Sequence, residues 1–493
     1  MLNSDLRRFT SCLFGFSLLF TTPAYSQDNS LLSQEIDNAL NASCLDDNQT
    51  SVNVVAMPSG RVVYASNINK PLLPASVMKI ITTAAALHYL GPEYRFKTQF
   101  LYSGSRQGNT LFGDLIIRGG GDPTLTTEKL WQIATKIKAS GINEITGHLV
   151  IDAHFFDQYD MAPEWKREER SQRAYDAKLS VLTLNYNSIA IHLQPGQNVG
   201  SRVNAWLEPA LPYMRLHNTA KTIKRGRNTV SVRRSEQEMG NVKMRVGGKL
   251  PIRSKEKVIR LNVDNPIHYA TETFRTLLRD AGVKINDSSK VVFRPIVANE
   301  LHEHLSEPLS LILKALNTYS NNLTAEQIIK TIAAERYGTP GTHAEGLRLV
   351  KEFLRLNGVN MHGVELIDGS GLSRKNRLTT RAITDLLTRL FSRFDIGPDF
   401  LSALRVMGAY GVLSQRLAKS PARGKIRAKT GSLRKVSTLA GYVATQDGHV
   451  YGYALFLNNN RCGPWKADKI EDSIVTAIHN FGDGTFKLSR KWK

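Results

Sequence analysis

The chain has 493 residues, which at about 150 residues per domain corresponds to roughly three folding units and excludes a single small binding module. Hydrophobic residues make up 41% and charged residues 22%, ordinary globular usage that excludes a disordered, collagen-like or polytopic membrane chain, and three cysteines are too few for a disulfide-dense scaffold or a Cys-rich zinc module. The unusual quantity is charge: 65 Lys and Arg against 43 Asp and Glu leave +22, which points to an acidic partner without choosing among nucleic acid, an anionic surface and a polyanionic polymer.

Residues 1–26 begin with Arg7 and Arg8, continue with an apolar stretch from Phe9 to Phe20, and end on Ala24, Tyr25 and Ser26. That is the layout of a cleavable secretory signal, and the apolar core is shorter than the 18 or so residues a membrane-spanning helix needs. Export to a bacterial periplasm is the expected consequence. Cleavage removes Cys12 and leaves Cys44 and Cys462 as candidates for a disulfide in an oxidising compartment.

A helix is expected from Leu31 to Asn41, followed by a hairpin of Val52–Ala56 and Arg61–Tyr64 around Pro58, Ser59 and Gly60. After Pro74 and Ala75, an apolar run to Leu87 predicts one buried helix with Ser76 in its first turn. Residues 93–298 have a different texture. Gly119-Gly120-Gly121-Asp122-Pro123 marks a turn, but it lacks the spacing of a dinucleotide or phosphate loop, and a helix is expected at Thr127–Ala139. Residues 221–260 hold 13 Lys and Arg against three Glu, nearly half of the excess charge, on short alternating stretches (Thr229–Val232, Val242–Val246, Val258–Leu261) that predict strands with basic outward faces. His302-Glu303-His304 has the wrong spacing for a zinc-protease motif and is expected on a solvated turn. Helical runs at Leu309–Leu316 and Leu323–Ala334 flank Ser320-Asn321-Asn322. Three strands (Lys425–Thr430, Ser437–Thr445, Val450–Leu457) and a helix (Ala467–Phe481) close the chain, which predicts an α+β fold whose antiparallel sheet is built from both chain ends.

Three short motifs carry chemistry only as a set. Ser76 and Lys79 are three residues apart, so a helix would put the amine within reach of the hydroxyl, and a desolvated lysine with a lowered pKa is able to take a serine proton. Alone the pattern is weak, since Ser254/Lys257 and Ser432/Lys435 repeat it. Ser320-Asn321-Asn322 sits on a short turn between helices, where capping is the ordinary role. Lys429-Thr430-Gly431-Ser432 ends a strand and offers a cation, two hydroxyls and a close-approach glycine for a carboxylate. In this order, and in helix, turn and strand contexts, the three match the pattern of penicillin-recognising serine enzymes.

The chain resembles the D-alanyl-D-alanine carboxypeptidase/endopeptidases, the low-molecular-mass class C penicillin-binding proteins. The resemblance rests on these motifs together with Gly119–Leu125, Leu182–Asn187, Ala325 and Glu326, and Asp368–Arg374. It implies a split penicillin-binding, β-lactamase-like transpeptidase domain (27–92 and 299–493) with two nested, largely β inserted domains (93–185 with 262–298, and 186–261). It further implies that Ser76 forms an acyl-enzyme with peptidoglycan stem peptides, with Lys79 as general base. Ser320 would pass the proton to the leaving amine and Asn322 would hold the peptide amide. Lys429, Thr430, Gly431 and Ser432 would receive the terminal carboxylate, with the N–H groups of Ser76 and Ser432 as the oxyanion hole. Arg374 is a candidate for the stem-peptide side-chain carboxylate. Around Trp165, where the family carries an acid for the diaminopimelate ammonium, Glu168 and Glu169 are the candidates. Arg405–Leu413 departs from the family's usual sequence there. No cofactor or metal is implied. β-Lactam antibiotics are expected as acylating inhibitors, and residues 221–260 as a contact to anionic cell wall rather than nucleic acid. The alternatives are a β-lactamase or esterase on the same fold, and a non-catalytic basic wall-binding protein.

Overall fold

The computed structural model describes residues 27–165, 171–236, 241–409 and 416–481. The expected leader, Glu168, Glu169 and Tyr410–Leu413 therefore lie outside the described residues.

The fold is α+β. Its main sheet has six antiparallel strands in the order Arg61–Ser66, Thr50–Ala56, Val450–Leu457, Val436–Ala444, Ile426–Leu433 and Arg405–Val406, so both ends of the chain do build one sheet. The central strands are buried on both faces, because helices cover each side. On one face Leu32 and Ile36 of α1 (Gln27–Leu40) and Ile474 and Ile478 near the C-terminus pack on Val52, Leu439 and Leu455. On the other lies α2 (Met78–Leu90), in which every residue from Met78 to Leu87 is buried. A helix with no polar face belongs inside a core, and Lys79 goes in with it. Among the described residues no helix is long and apolar enough to cross a membrane. Cys44 and Cys462, 418 residues apart, form a disulfide that ties the start of this unit to its end.

Between α2 and residue 309 the chain builds smaller sheets around α3 (Thr127–Ala139) and α4 (Pro266–Asp280). Asn204–Glu208, Ser188–Gln194 and Lys257–Asn262 form one of these sheets, and Met214–Asn218, Val242–Gly247 and Ser231–Glu236 another. The apolar sides of these elements meet in a core that runs from Phe100 to Ile285. Two expectations are corrected here. Residues 299–305 were assigned to the catalytic part, but Asn299–Leu305 is a strand paired with Lys97–Tyr102 in the inserted five-stranded sheet. For the same reason His302-Glu303-His304 is on a strand and not on a solvated turn. Its polar side chains masked the backbone pairing that holds it.

The remaining helices pack beneath the main sheet as α5 (Leu309–Tyr319), α6 (Asn322–Tyr337), α7 (His343–Leu356), α8 (Thr380–Phe391) and α9 (Gly397–Ala403), with α10 (Gly463–Asn480) on the opposite face. The break between α5 and α6 consists of Ser320, which is left-handed (φ 56°, ψ 40°), and Asn321, which is extended. The Asn321 side chain accepts the Thr324 N–H at 3.0 Å and caps α6. Capping thus falls to Asn321, which leaves Ser320 and Asn322 available for other work.

Candidate active site

Ser76 lies in a 3-10 turn, Ala75–Val77, immediately before α2 and not in the first turn of the α-helix itself. Ala75 is left-handed (φ 45°), a conformation that costs a non-glycine residue on the order of 1–3 kcal/mol and is found where surrounding structure enforces it. Three contacts enforce it here. Asn458 clamps the Leu73 backbone from both sides, accepting its N–H at 2.8 Å and donating to its carbonyl at 3.1 Å. The Thr438 hydroxyl donates to the Pro74 carbonyl at 2.8 Å. Strand Ile426–Leu433 then presses on the turn at Gly431, where a Cβ would stand 2.8 Å from the Ser76 nitrogen and 2.3 Å from the Thr438 hydroxyl. Only glycine allows strand and turn to come this close.

The Lys79 amine donates to Ser76 Oγ at 3.0 Å, to Asn322 Oδ1 at 2.8 Å and to the Ser370 carbonyl at 2.7 Å. Burial lowers its pKa from 10.5 to about 8, against the pull of the Asp368 and Glu326 carboxylates, which favour the charged form. The ammonium uses all three of its protons in these bonds. The neutral amine keeps two for Asn322 and Ser370 and turns its lone pair on the serine hydroxyl, which is the arrangement a general base needs.

Lys429, also fully buried, donates to Ser320 Oγ at 2.9 Å and to the Thr430 carbonyl at 2.6 Å. Burial pushes its pKa well down, and the charges of Lys79 and Arg405 push it the same way. The hydroxyls of Thr430 and Ser432 make no hydrogen bond among the described residues, and Ser432 is exposed. The structure therefore brings together Ser76, Lys79, Ser320, Asn322, Lys429, Thr430, Gly431 and Ser432. Arg374 is exposed at the rim, its guanidinium bonded to the Arg434 carbonyl at 3.1 Å just beyond the end of the strand.

Glu326 and Asp368 belong to the motifs that carry the resemblance, but their supporting roles were not legible beforehand. Glu326, fully buried, accepts the N–H groups of Gly369 at 3.0 Å and Ser370 at 2.7 Å and lies 3.3 Å from the His343 ring. Burial opposes its charge, but the His343 contact and these N–H groups hold its pKa below the usual carboxylate value. Asp368 accepts from Gly371, Ser373, Asn376 and the Trp165 indole. Together the two carboxylates fix the loop whose Ser370 carbonyl receives Lys79. The Tyr175 carbonyl accepts from the Asn322 amide at 3.0 Å and sets its orientation, so Oδ1 faces the lysine. Among the described residues no group of three metal-ligating side chains converges.

The model of the D-Ala-D-Ala carboxypeptidase 3 (S13) family matches residues 32–481. The chain belongs to this family. It is accordingly a penicillin-binding serine peptidase of the D-Ala-D-Ala carboxypeptidase type. A D-alanyl-D-alanine carboxypeptidase of an Actinomadura species is 32% identical over 488 residues, covering 95% of this chain and 89% of that one. The D-alanyl-D-alanine carboxypeptidase DacB of Haemophilus influenzae is 26% identical, covering 96% and 97%. In fold, the chain is similar to the crystal structure of penicillin binding protein 4 from Haemophilus influenzae, with a TM-score of 0.75 at 24% identity over 92% of this chain and 98% of that one.

Proposed function

We propose that this chain is a periplasmic D,D-peptidase of peptidoglycan stem peptides that releases terminal D-Ala, opens D-Ala cross-links, or both, through an acyl-enzyme on Ser76. The observation that carries the reading is the buried Lys79 amine, 3.0 Å from Ser76 Oγ with a pKa lowered to about 8, so that about a tenth is free base at pH 7, far more than for a solvated lysine. Lys79 takes the serine proton as Oγ bonds to the carbonyl carbon. Asn322 holds the peptide amide, and Ser320, bonded to Lys429, delivers a proton to the leaving amine. The oxyanion meets the N–H groups of Ser76 and Ser432, each such donor being worth about a hundred- to a thousandfold in rate. Lys429, Thr430 and Ser432 receive the terminal carboxylate, and water then releases the acyl group. Arg374, at the rim, and Glu168 and Glu169 are the proposed contacts to the stem-peptide side chain.

A Haemophilus influenzae penicillin binding protein 4 of the same fold has been crystallised in complex with a β-lactam. The same acylation by β-lactams is proposed for Ser76. The residue ranges 27–92 with 306–493, 93–185 with 262–305, and 186–261 are proposed as the catalytic and two nested domains, the strand Asn299–Leu305 being counted with the inserted sheet it pairs in. In the innermost one, Lys221, Lys224, Arg225, Arg227, Arg245, Lys249 and Arg253 are exposed, which suits them to anionic wall polymer. The test is a muropeptide digest read for free D-Ala and for split cross-links. Wild type is expected to produce one or both and Ser76→Ala neither, whereas equal activity in the variant would refute the assignment.

A further inference from the structure

A cavity of about 540 Å³ opens beside the Ser320–Asn322 turn. Its walls include Ser320 and Asn322 themselves, three tyrosines (Tyr175, Tyr186 and Tyr319) and Arg260. Terminal D-Ala is far smaller than this volume, which falls in the range of sites that enclose a drug-sized ligand. Tyr175, Tyr186 and Tyr319 are 57%, 38% and 70% exposed, an unusual concentration of uncovered aromatic surface next to catalytic groups.

Tyr186 is held there at a cost. Asn185, Tyr186 and Asn187 are successive left-handed residues (φ 49°, 55° and 50°). Asparagine visits this region readily, but tyrosine does so only under constraint. The constraint comes from its neighbours. Asn185 bonds to the Thr127 hydroxyl at 2.8 Å, and Asn187 bonds to the Leu184 N–H at 3.1 Å and the Lys178 carbonyl at 2.8 Å. The turn is anchored on both sides while the ring between them points into the cavity wall. Arg260, on strand Lys257–Asn262, is exposed and makes no hydrogen bond or ion pair among the described residues. Its charge is therefore available to a ligand carboxylate.

We propose that this cavity receives the leaving stem peptide of a cross-linked substrate, with Arg260 pairing one of its carboxylates and the tyrosines covering its aliphatic parts. The proposal rests on the assignment of Ser320 as the group that protonates the leaving amine, since the cavity begins at that residue. In the step concerned, Ser76 Oγ bonds to the D-Ala carbonyl carbon and the amide C–N bond breaks. The freed side-chain amine of the second stem peptide takes the proton that Ser320 relays, and that peptide departs through the cavity. Water then cleaves the ester. When the leaving group is D-Ala alone the cavity is not used, so the site separates endopeptidase from carboxypeptidase turnover.

The test compares a purified sugar-free tetrapeptide dimer with a monomeric pentapeptide on wild type, Arg260→Ala, Arg260→Lys and Tyr186→Ala. For Arg260→Ala and Tyr186→Ala, KM for the dimer is expected to rise tenfold or more with kcat little changed. Arg260→Lys should recover part of the loss, and pentapeptide turnover and the rate of acylation by benzylpenicillin should stay at wild-type values. Unchanged dimer KM, equal losses on both substrates, no dimer cleavage by wild type, or a defect seen only with disaccharide-bearing dimers would each overturn the proposal. Wild type that penicillin fails to acylate would instead overturn the underlying enzyme assignment, so the two failures are distinguishable.

Discussion

Lys79 and Lys429 are 0% and 1% exposed and sit among polar partners in the split sheet-and-helix unit, whereas Lys224, Arg225 and Arg227, in the loop after the inserted strand Lys221–Ile223, stand in solvent. The pair adds at most two charges to the chain's +22, whereas residues 221–260 around the second group hold 13 Lys and Arg against three Glu. Burial makes the difference. A lysine taken out of water has its pKa pushed toward neutrality and is able to give and take protons, while an exposed one stays charged and acts through long-range attraction that salt screens. The net charge noted at the outset bears on the proposed contact with anionic wall, and two inconspicuous lysines bear on the chemistry.

The largest effect should come from the buried set. Lys79→Ala is expected to slow acylation by benzylpenicillin by on the order of 10²–10⁴-fold, whereas neutralising Lys224, Arg225 and Arg227 together should leave that rate unchanged. Stopped-flow acylation with both variants decides it, and comparable losses in the two would erase the distinction. Next, Gly431→Ala should cost about a hundredfold in acylation, because the added Cβ must displace the Ser76 N–H from its place beside the strand. It should also cost about 1–3 kcal/mol in stability through overpacking. A variant with wild-type kinetics would mean that the close approach is not needed.

The pH profile sharpens the contrast further. Because burial lowers the Lys79 pKa to about 8, acylation should rise about tenfold per unit below pH 8 and level off above it. A rise that continues past pH 10 would indicate an ordinary, solvated lysine. The Glu326 carboxylate favours the Lys79 ammonium, so Glu326→Gln should move the profile toward lower pH. A shift in the other direction would contradict the assigned cause. The smallest effect belongs to the surface. Neutralising the exposed basic residues should weaken pull-down onto sacculi severalfold at low salt and matter little at high salt. Binding that ignores both charge and salt would remove the wall-polymer role.

Much of this was readable beforehand because it depends on local pattern. The largely apolar run after Ser76, with no polar face, requires a buried helix, alternating stretches at both chain ends require strands, and three motifs in fixed order identify the family. What was not readable depends on contacts between distant segments. Glu326 and Asp368 earn their roles only when α6 meets the 368–376 loop, and Asn458 only when the last sheet strand reaches Leu73. His302-Glu303-His304 reads as a turn because its polar residues hide the strand Asn299–Leu305, whose partner lies some two hundred residues earlier. Ser320 and Asn321 were both plausible caps, and only backbone geometry separates the cap from the catalytic candidate. The cavity beside Ser320 has no signature at all, since its walls come from four separate parts of the chain.

The central claim is that Ser76, activated by buried Lys79, becomes acylated. Intact-mass analysis of the mature protein after incubation with benzylpenicillin tests it most directly. The expected result is one covalent adduct that persists long enough to be mapped to the peptide containing Ser76 and is lost in Ser76→Ala. An unmodified wild type, or an adduct retained in Ser76→Ala, would contradict the account.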